Sequence, residues 1–158
     1  MQRSRTVIFF LFIVSALYCY GAGMVDYFGV YEPWKLINEN DFAAFHQFQG
    51  SRIIALFVIP SGIMTLFNLL AAIWPPDYVN RKWLWSALAA YAFDWIFSFT
   101  MQIPIQLELE KRKDIGLINE LLSTKRWRFS ADTIHICIVL FILWKLLEKL
   151  RQPAAFFS

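Results

Sequence analysis

The chain has 158 residues, 58% of them apolar and 18% aromatic, with a mean hydropathy of +0.47 and a formal net charge of +3. A soluble domain is about 45–50% apolar, and a water-exposed chain this greasy would carry large adhesive patches, so the composition argues for a fold solvated by lipid. No block of five or six like charges occurs, which argues against a nucleic-acid partner.

Met1-Gln2-Arg3-Ser4-Arg5 leads into a first apolar run, 7–24, that ends near Gly21-Ala22-Gly23. This has the outline of a signal peptide; the reading adopted is a first membrane helix that also serves as the signal. Residues 25–52 form a long link with Pro33-Trp34 and then Asn40-Asp41, a helix N-cap signal. The second helix is expected to begin near Asp41, to lie partly at the interface, and to enter the bilayer over 53–74. Pro60 and Gly62 are candidate kink points. The short link 75–82, with Pro75-Pro76, makes the third run, 83–105, an antiparallel neighbour of the second.

The next link, 106–128, is highly charged. Leu117, Ile118, Leu121 and Leu122 recur there at helical spacing, which predicts a short amphipathic helix. The last run, 129–147, is the least clean: its pure core, 136–144, is flanked by Arg128, Asp132, His135 and Lys145. Basic side chains at helix ends snorkel to the interface, and a span takes about 20 residues, so the run still qualifies. Tyr18, Tyr20, Trp74, Trp83, Trp85, Trp127 and Trp144 lie near run ends, where amphipathic rings favour the headgroup region. The expected fold is all-α: a single domain, 1–158, forming a bundle of four transmembrane helices. Four crossings put both long links on one side. Basic residues divide almost evenly between the sides; the usual lead of the first helix places both termini in the cytoplasm. Cys19 and Cys137 both fall in apolar runs and read as small core residues rather than a disulfide.

Ionisable residues within a span are costly and mark functional sites. Asp94 is the clearest, with Ser98 and Gln102 following at one-turn intervals, then Pro104 and Gln106. That stripe reads either as the lining of a cavity, with Asp94 a proton acceptor, or as a structural cluster with Asn68 or Ser15. Arg128, Asp132 and His135 share one helical face, so Asp132 is placed to pair with either neighbour. His46 and His135 both flank the side with the long links. His46, Gln102, Gln106, Arg128, Asp132 and His135 therefore suggest one polar site at that mouth. In residue type, His46, His135 and Asp132 match a non-haem metal triad, and paired histidines suit haem; an interfacial histidine satisfied by a carboxylate is the plainer reading. Nucleotide-binding, serine-hydrolase and zinc-protease motifs are absent from the sequence.

Tyr31-Glu32-Pro33-Trp34, Asp41-Phe42, His46, Pro60, Gln102-Ile103-Pro104-Ile105-Gln106 and Trp127-Arg128 follow in an order that resembles small bacterial four-helix membrane proteins. These are in turn similar to the anthrone oxygenase-like family, whose third helix ends in a Val-Pro-Leu-Asn element. This chain has Ile-Pro-Ile-Gln there, which keeps the amide but lengthens it. The resemblance implies a bacterial inner-membrane bundle that oxidises a hydrophobic, aromatic compound. It implies roles for Gln102, Pro104, Gln106, Trp127 and Arg128, with Tyr31 and Trp34 beside the substrate. Three readings stand together: an enzyme or cofactor protein acting on a lipophilic small molecule; a non-enzymatic subunit packed against a membrane partner or another copy of itself; and a small transporter or channel protomer using Asp94.

Overall fold

A computed structural model describes residues 2–151, and among them the regular structure is entirely helical. Helix α1, Gln2–Val25, passes straight into a π-helical turn, Asp26–Val30. A 3-10 turn, Glu32–Leu36, follows. Helix α2, Glu39–Ile53, runs through a π turn, Ile54–Val58, into α3, Ile59–Ile73. Helix α4, Arg81–Phe97, runs through a π turn, Ser98–Gln102, into α5, Ile103–Leu109. Helix α6, Ile115–Arg151, is unbroken.

Two of the π turns have a cause in the sequence. Proline has no N–H and its ring crowds the carbonyl four residues back. Pro60 therefore frees the Leu56 carbonyl, which accepts the Tyr18 hydroxyl at 2.9 Å instead. Pro104 follows the Ser98–Gln102 turn in the same way, and the wide turns close with Ile59 N–H on Ile54 O and Ile103 N–H on Ser98 O. The kink expected at Pro60 is thus taken up as a π turn, and Gly62 lies within regular helix.

Helix α1 packs on α3 and α6, and α4 packs on the same two, so the order around the bundle is α1, α3, α4, α6. Arg5 pairs with Asp77 at 3.3 Å, and Trp83 stacks edge-on against Phe141 with centroids 4.7 Å apart; these mark the short-turn end. Lys113 Nζ donates to the Lys35 carbonyl at 2.9 Å, so the two other links meet at the opposite end, as expected from four antiparallel helices.

Among the described residues three helices are long and apolar enough to cross a membrane: Gln2–Leu36, Glu39–Ile73 and Ile115–Arg151. The fourth rod, 81–109, falls outside that set, because Trp83, Trp85, Ser86, Tyr91, Asp94 and Ser98 dilute its apolar residues. The sequence pointed instead to 129–147 as the weakest run; the continuous helix α6 carries it. Rods of 35 and 37 residues reach about 50–55 Å, against a hydrocarbon core of about 30 Å. The excess lies at the long-link end.

That excess builds a second core. The first core holds Phe12, Met64, Leu84 and Val139, all fully buried, together with Ala71, Ala72 and Ala87. The second holds Tyr31, Trp34, Phe42, Leu109, Ile118 and Leu121 at the long-link end. It accounts for three departures from expectation. Leu117–Leu122 form no separate amphipathic helix but the first turns of α6, because their apolar face docks in this core and no breaker interrupts the chain. The residues before the second span continue its rod, Glu39–Ile73, and α2 packs through Phe42 and His46 on Trp34. The cap is Asn38, whose side chain accepts from Asn40 N–H at 3.3 Å, rather than Asn40-Asp41. Both cysteines are free, and only Cys19 is buried; Cys137 faces outward, which corrects its placement in the core.

Asn68 is fully buried, and its amide, with nitrogen and oxygen placed to match, bridges Leu84 O at 3.2 Å and Leu88 N at 3.1 Å on α4. Asn68→Ala is expected to cost about 0.6–1.7 kcal/mol, the range for interhelical polar contacts, read as a lower unfolding midpoint in detergent.

Candidate functional site

Between the two cores lies a polar layer centred on Arg128 of α6, whose side chain is 11% exposed. Its Nη1 donates to Gln102 Oε1 at 2.6 Å and its Nη2 to Asp26 Oδ2 at 3.2 Å. Its Nε faces Asp94 Oδ1 at 3.7 Å. The guanidinium also sits 4.9 Å from the centre of the Phe57 ring. Asp26, Phe57 and Gln102 each belong to one of the three π turns. Arg128 is thus ringed by the wide turns of the other rods, and π turns of this kind recur at functional sites.

The layer is incompletely satisfied. Asp94 Oδ1 and Gln102 Nε2 are buried without a hydrogen-bond partner, as is His135 Nε2 further in. Most buried polar groups are paired, and those that are not call for an explanation. Asp132 adds a third carboxyl group near Arg128, and its Oδ2 lies against Gly23, where an added Cβ would meet it at 3.5 Å. Arg128, with Lys125 facing Asp26, leaves one of the three carboxylates without a cation. The remaining negative charge is costly in a poorly solvated site, which favours a proton or a hydrogen-bond-donating ligand there.

A groove of about 590 Å³ leads to this layer from the outside of the bundle, between α1 and the α2–α3 rod. Its walls are Leu17, Gly21, Ala22, Val25 and Leu56; Asp26 and Phe57 close its inner end, and Gln49 and Arg52 line it as well. Volumes of about 300–1,000 Å³ are usual for small-molecule sites.

The residues singled out in sequence fall into three places. Arg128, Asp94 and Gln102 meet directly. Asp132 and His135 are buried on the same face of α6, as their spacing required, but Asp132 forms no ion pair among the described residues, since Arg128 turns toward Asp26 and Asp94. His135 instead packs against Tyr91 and Phe12, with centroids at 4.9 and 6.1 Å. His46, Gln106, Tyr31 and Trp34 belong to the outer core: His46 Nε2 is 2.9 Å from Gln106 Oε1, and its ring lies between Trp34 and Phe42, while the Tyr31 hydroxyl reaches from that core to Asp26 and Arg128. Trp127 points outward, 65% exposed. The single site that would join His46 to His135 is therefore two environments. Asp94 finds Arg128 rather than Asn68, which bonds the α4 backbone, or Ser15, which bonds Leu11 O of its own helix at 2.7 Å.

Three contributors were missed: Asp26, Phe57 and the groove-lining Gly21. Asp26 had a signal, as the first carboxylate after the run 7–24. Among the described residues no group of three or more His, Cys, Asp or Glu is arranged to hold a metal ion, so His46, His135 and Asp132 do not fit the triad considered for them. No family model, curated protein or solved structure matches the chain.

Proposed function

We propose that the protein is a four-span integral membrane protein, of the bacterial inner membrane with both termini cytoplasmic, that takes a lipophilic small molecule into the α1–α2/α3 groove and acts on it at the Arg128 layer. One observation carries this reading: the apolar groove is lined at one end by Asp26, which is buried and ion-paired to Arg128. Apolar walls with a few convergent polar groups are the usual form of a small-molecule site. Arg128 is a fixed cation suited to stabilising developing negative charge. Asp26 and Asp94 are carboxylates suited to accepting a proton. The resemblance to anthrone oxygenase-like proteins favours an aromatic substrate, from which one of these carboxylates would take a proton. The histidines do not supply a metal triad, so this reading routes no step through a metal.

Gly21 provides the test. A Cβ added there meets nothing within 4 Å, so Gly21→Phe is expected to fill the groove with the bundle intact. Protein purified in mild detergent and extracted with organic solvent is expected to yield a lipophilic compound near one per chain. Gly21→Phe is expected to lose at least nine-tenths of it with helix content unchanged (roughly the 1.4 kcal/mol of a tenfold affinity change). Identical extracts from the two proteins, containing bulk lipid alone, would remove the ligand reading and leave that of a packing subunit.

A further inference from the structure

A second cavity, of about 390 Å³, lies outside the Arg128 layer, between the first long link and the start of α6. Lys35, Lys125 and Arg126 line it, with Asn119 and Ser123 as neutral polar groups and Glu32 as the opposing acid. Lys125 is buried: its ammonium bonds the Tyr27 carbonyl and lies 4.7 Å from the Tyr27 ring centre and 5.4 Å from that of Tyr31. Its charge thus stands at the back of the cavity, while Arg126 is exposed at the front and Lys35 half-buried. Glu32 on the lining and Asp26 behind Lys125 offset two of the three cations, and the remaining positive charge makes this a pocket for an anion.

Its depth says which anion. Tyr27 lies three residues beyond the apolar run 7–24, and Lys125 and Arg126 lie four and three residues before the run 129–147. At helical rise that is about 5 Å outside the hydrocarbon, where phosphates of the lipid headgroups sit. Phe28, also on the lining, is 65% exposed, Trp127 beside Arg126 is 65% exposed, and Leu36 beside Lys35 is 89% exposed. Aromatic and apolar side chains around a basic pocket at that depth are how headgroups are held. We infer that this pocket binds the phosphate of an anionic phospholipid headgroup, with Lys35 and Arg126 contacting it and Lys125 supplying charge from behind. The inference rests on the membrane reading and is independent of the groove and its ligand.

Native mass spectrometry of the full chain released from detergent tests it, with added phosphatidylglycerol, phosphatidylcholine or inorganic phosphate. Phosphatidylglycerol is expected to form a one-to-one adduct that phosphatidylcholine does not displace. The K35Q/R126Q variant is expected to weaken it roughly thirtyfold, since each basic side chain near an anionic surface counts about fivefold. K111Q/R112Q removes the same charge from the 110–114 loop and is expected to leave the adduct unchanged. Equal loss in both double variants would overturn the pocket. Inorganic phosphate binding as tightly as phosphatidylglycerol, and displacing it, would overturn the lipid as occupant.

Discussion

Arg128→Leu is expected to destabilise the bundle by about 3–5 kcal/mol, the cost of leaving a buried ion pair half removed. The substitution takes away the partner of Asp26 at 3.2 Å, of Asp94 at 3.7 Å and of Gln102 at 2.6 Å, and strands two carboxylates in the layer between the cores. The measure is the unfolding midpoint in mixed detergent followed by circular dichroism. Arg128→Lys should recover only part, because an ammonium cannot reach Gln102 and Asp26 at once with the planar fork that guanidinium offers. The triple variant Arg128→Met/Asp26→Asn/Asp94→Asn should recover most of the loss, since neutralising a whole buried ionic group costs far less than breaking it. A triple variant no more stable than Arg128→Leu would mean that lost packing over Phe57, rather than stranded charge, sets the effect.

Trp34→Ala is expected to cost about 3–5 kcal/mol as well, but in a different place. Trp34 is 1% exposed, lies 4.8 Å from both Tyr31 and His46 and 6.0 Å from Phe42, and its Nε1 donates to Gln49 Oε1. It is the largest side chain of the outer core, which stands beyond the apolar runs. Its loss should open that core alone. Limited proteolysis is expected to cut within 26–38 and 110–114 much faster than in the parent protein, while the membrane-embedded fragments stay associated. Cleavage unchanged at those links would show that the outer core does not depend on Trp34.

The four helices could be read from the chain because a span is a property of one segment: about 20 apolar residues suffice, whatever surrounds them. The inward face of α6 was legible for the same reason, since Arg128, Asp132 and His135 follow from helical spacing alone. Their partners were not. Periodicity fixes the side of a helix but not its depth against its neighbours, so His46 and His135 looked like one site although each lies in a different environment. The π turns hid the rest. A turn closed by an i→i+5 bond breaks the register in which Asp94, Ser98 and Gln102 were counted, and no local pattern marks Asp26–Val30 as such a turn. The outer core was missed because its strength comes from long-range contacts among Trp34, Phe42, Leu109 and Leu121. The charged stretch around it reads in sequence as a solvated loop.

Every functional statement above stands on four crossings with the long links together, and labelling in intact vesicles tests this most directly. In a Cys19→Ser/Cys137→Ser background, single cysteines are introduced as Arg3→Cys, Lys35→Cys, Asp77→Cys, Arg112→Cys and Arg151→Cys, and exposed to a membrane-impermeant maleimide. The positions at 35 and 112 are expected to label from one side of the membrane, and those at 3, 77 and 151 only from the other. Labelling of 77 and 112 from the same side would contradict the fold, and with it both proposed binding sites.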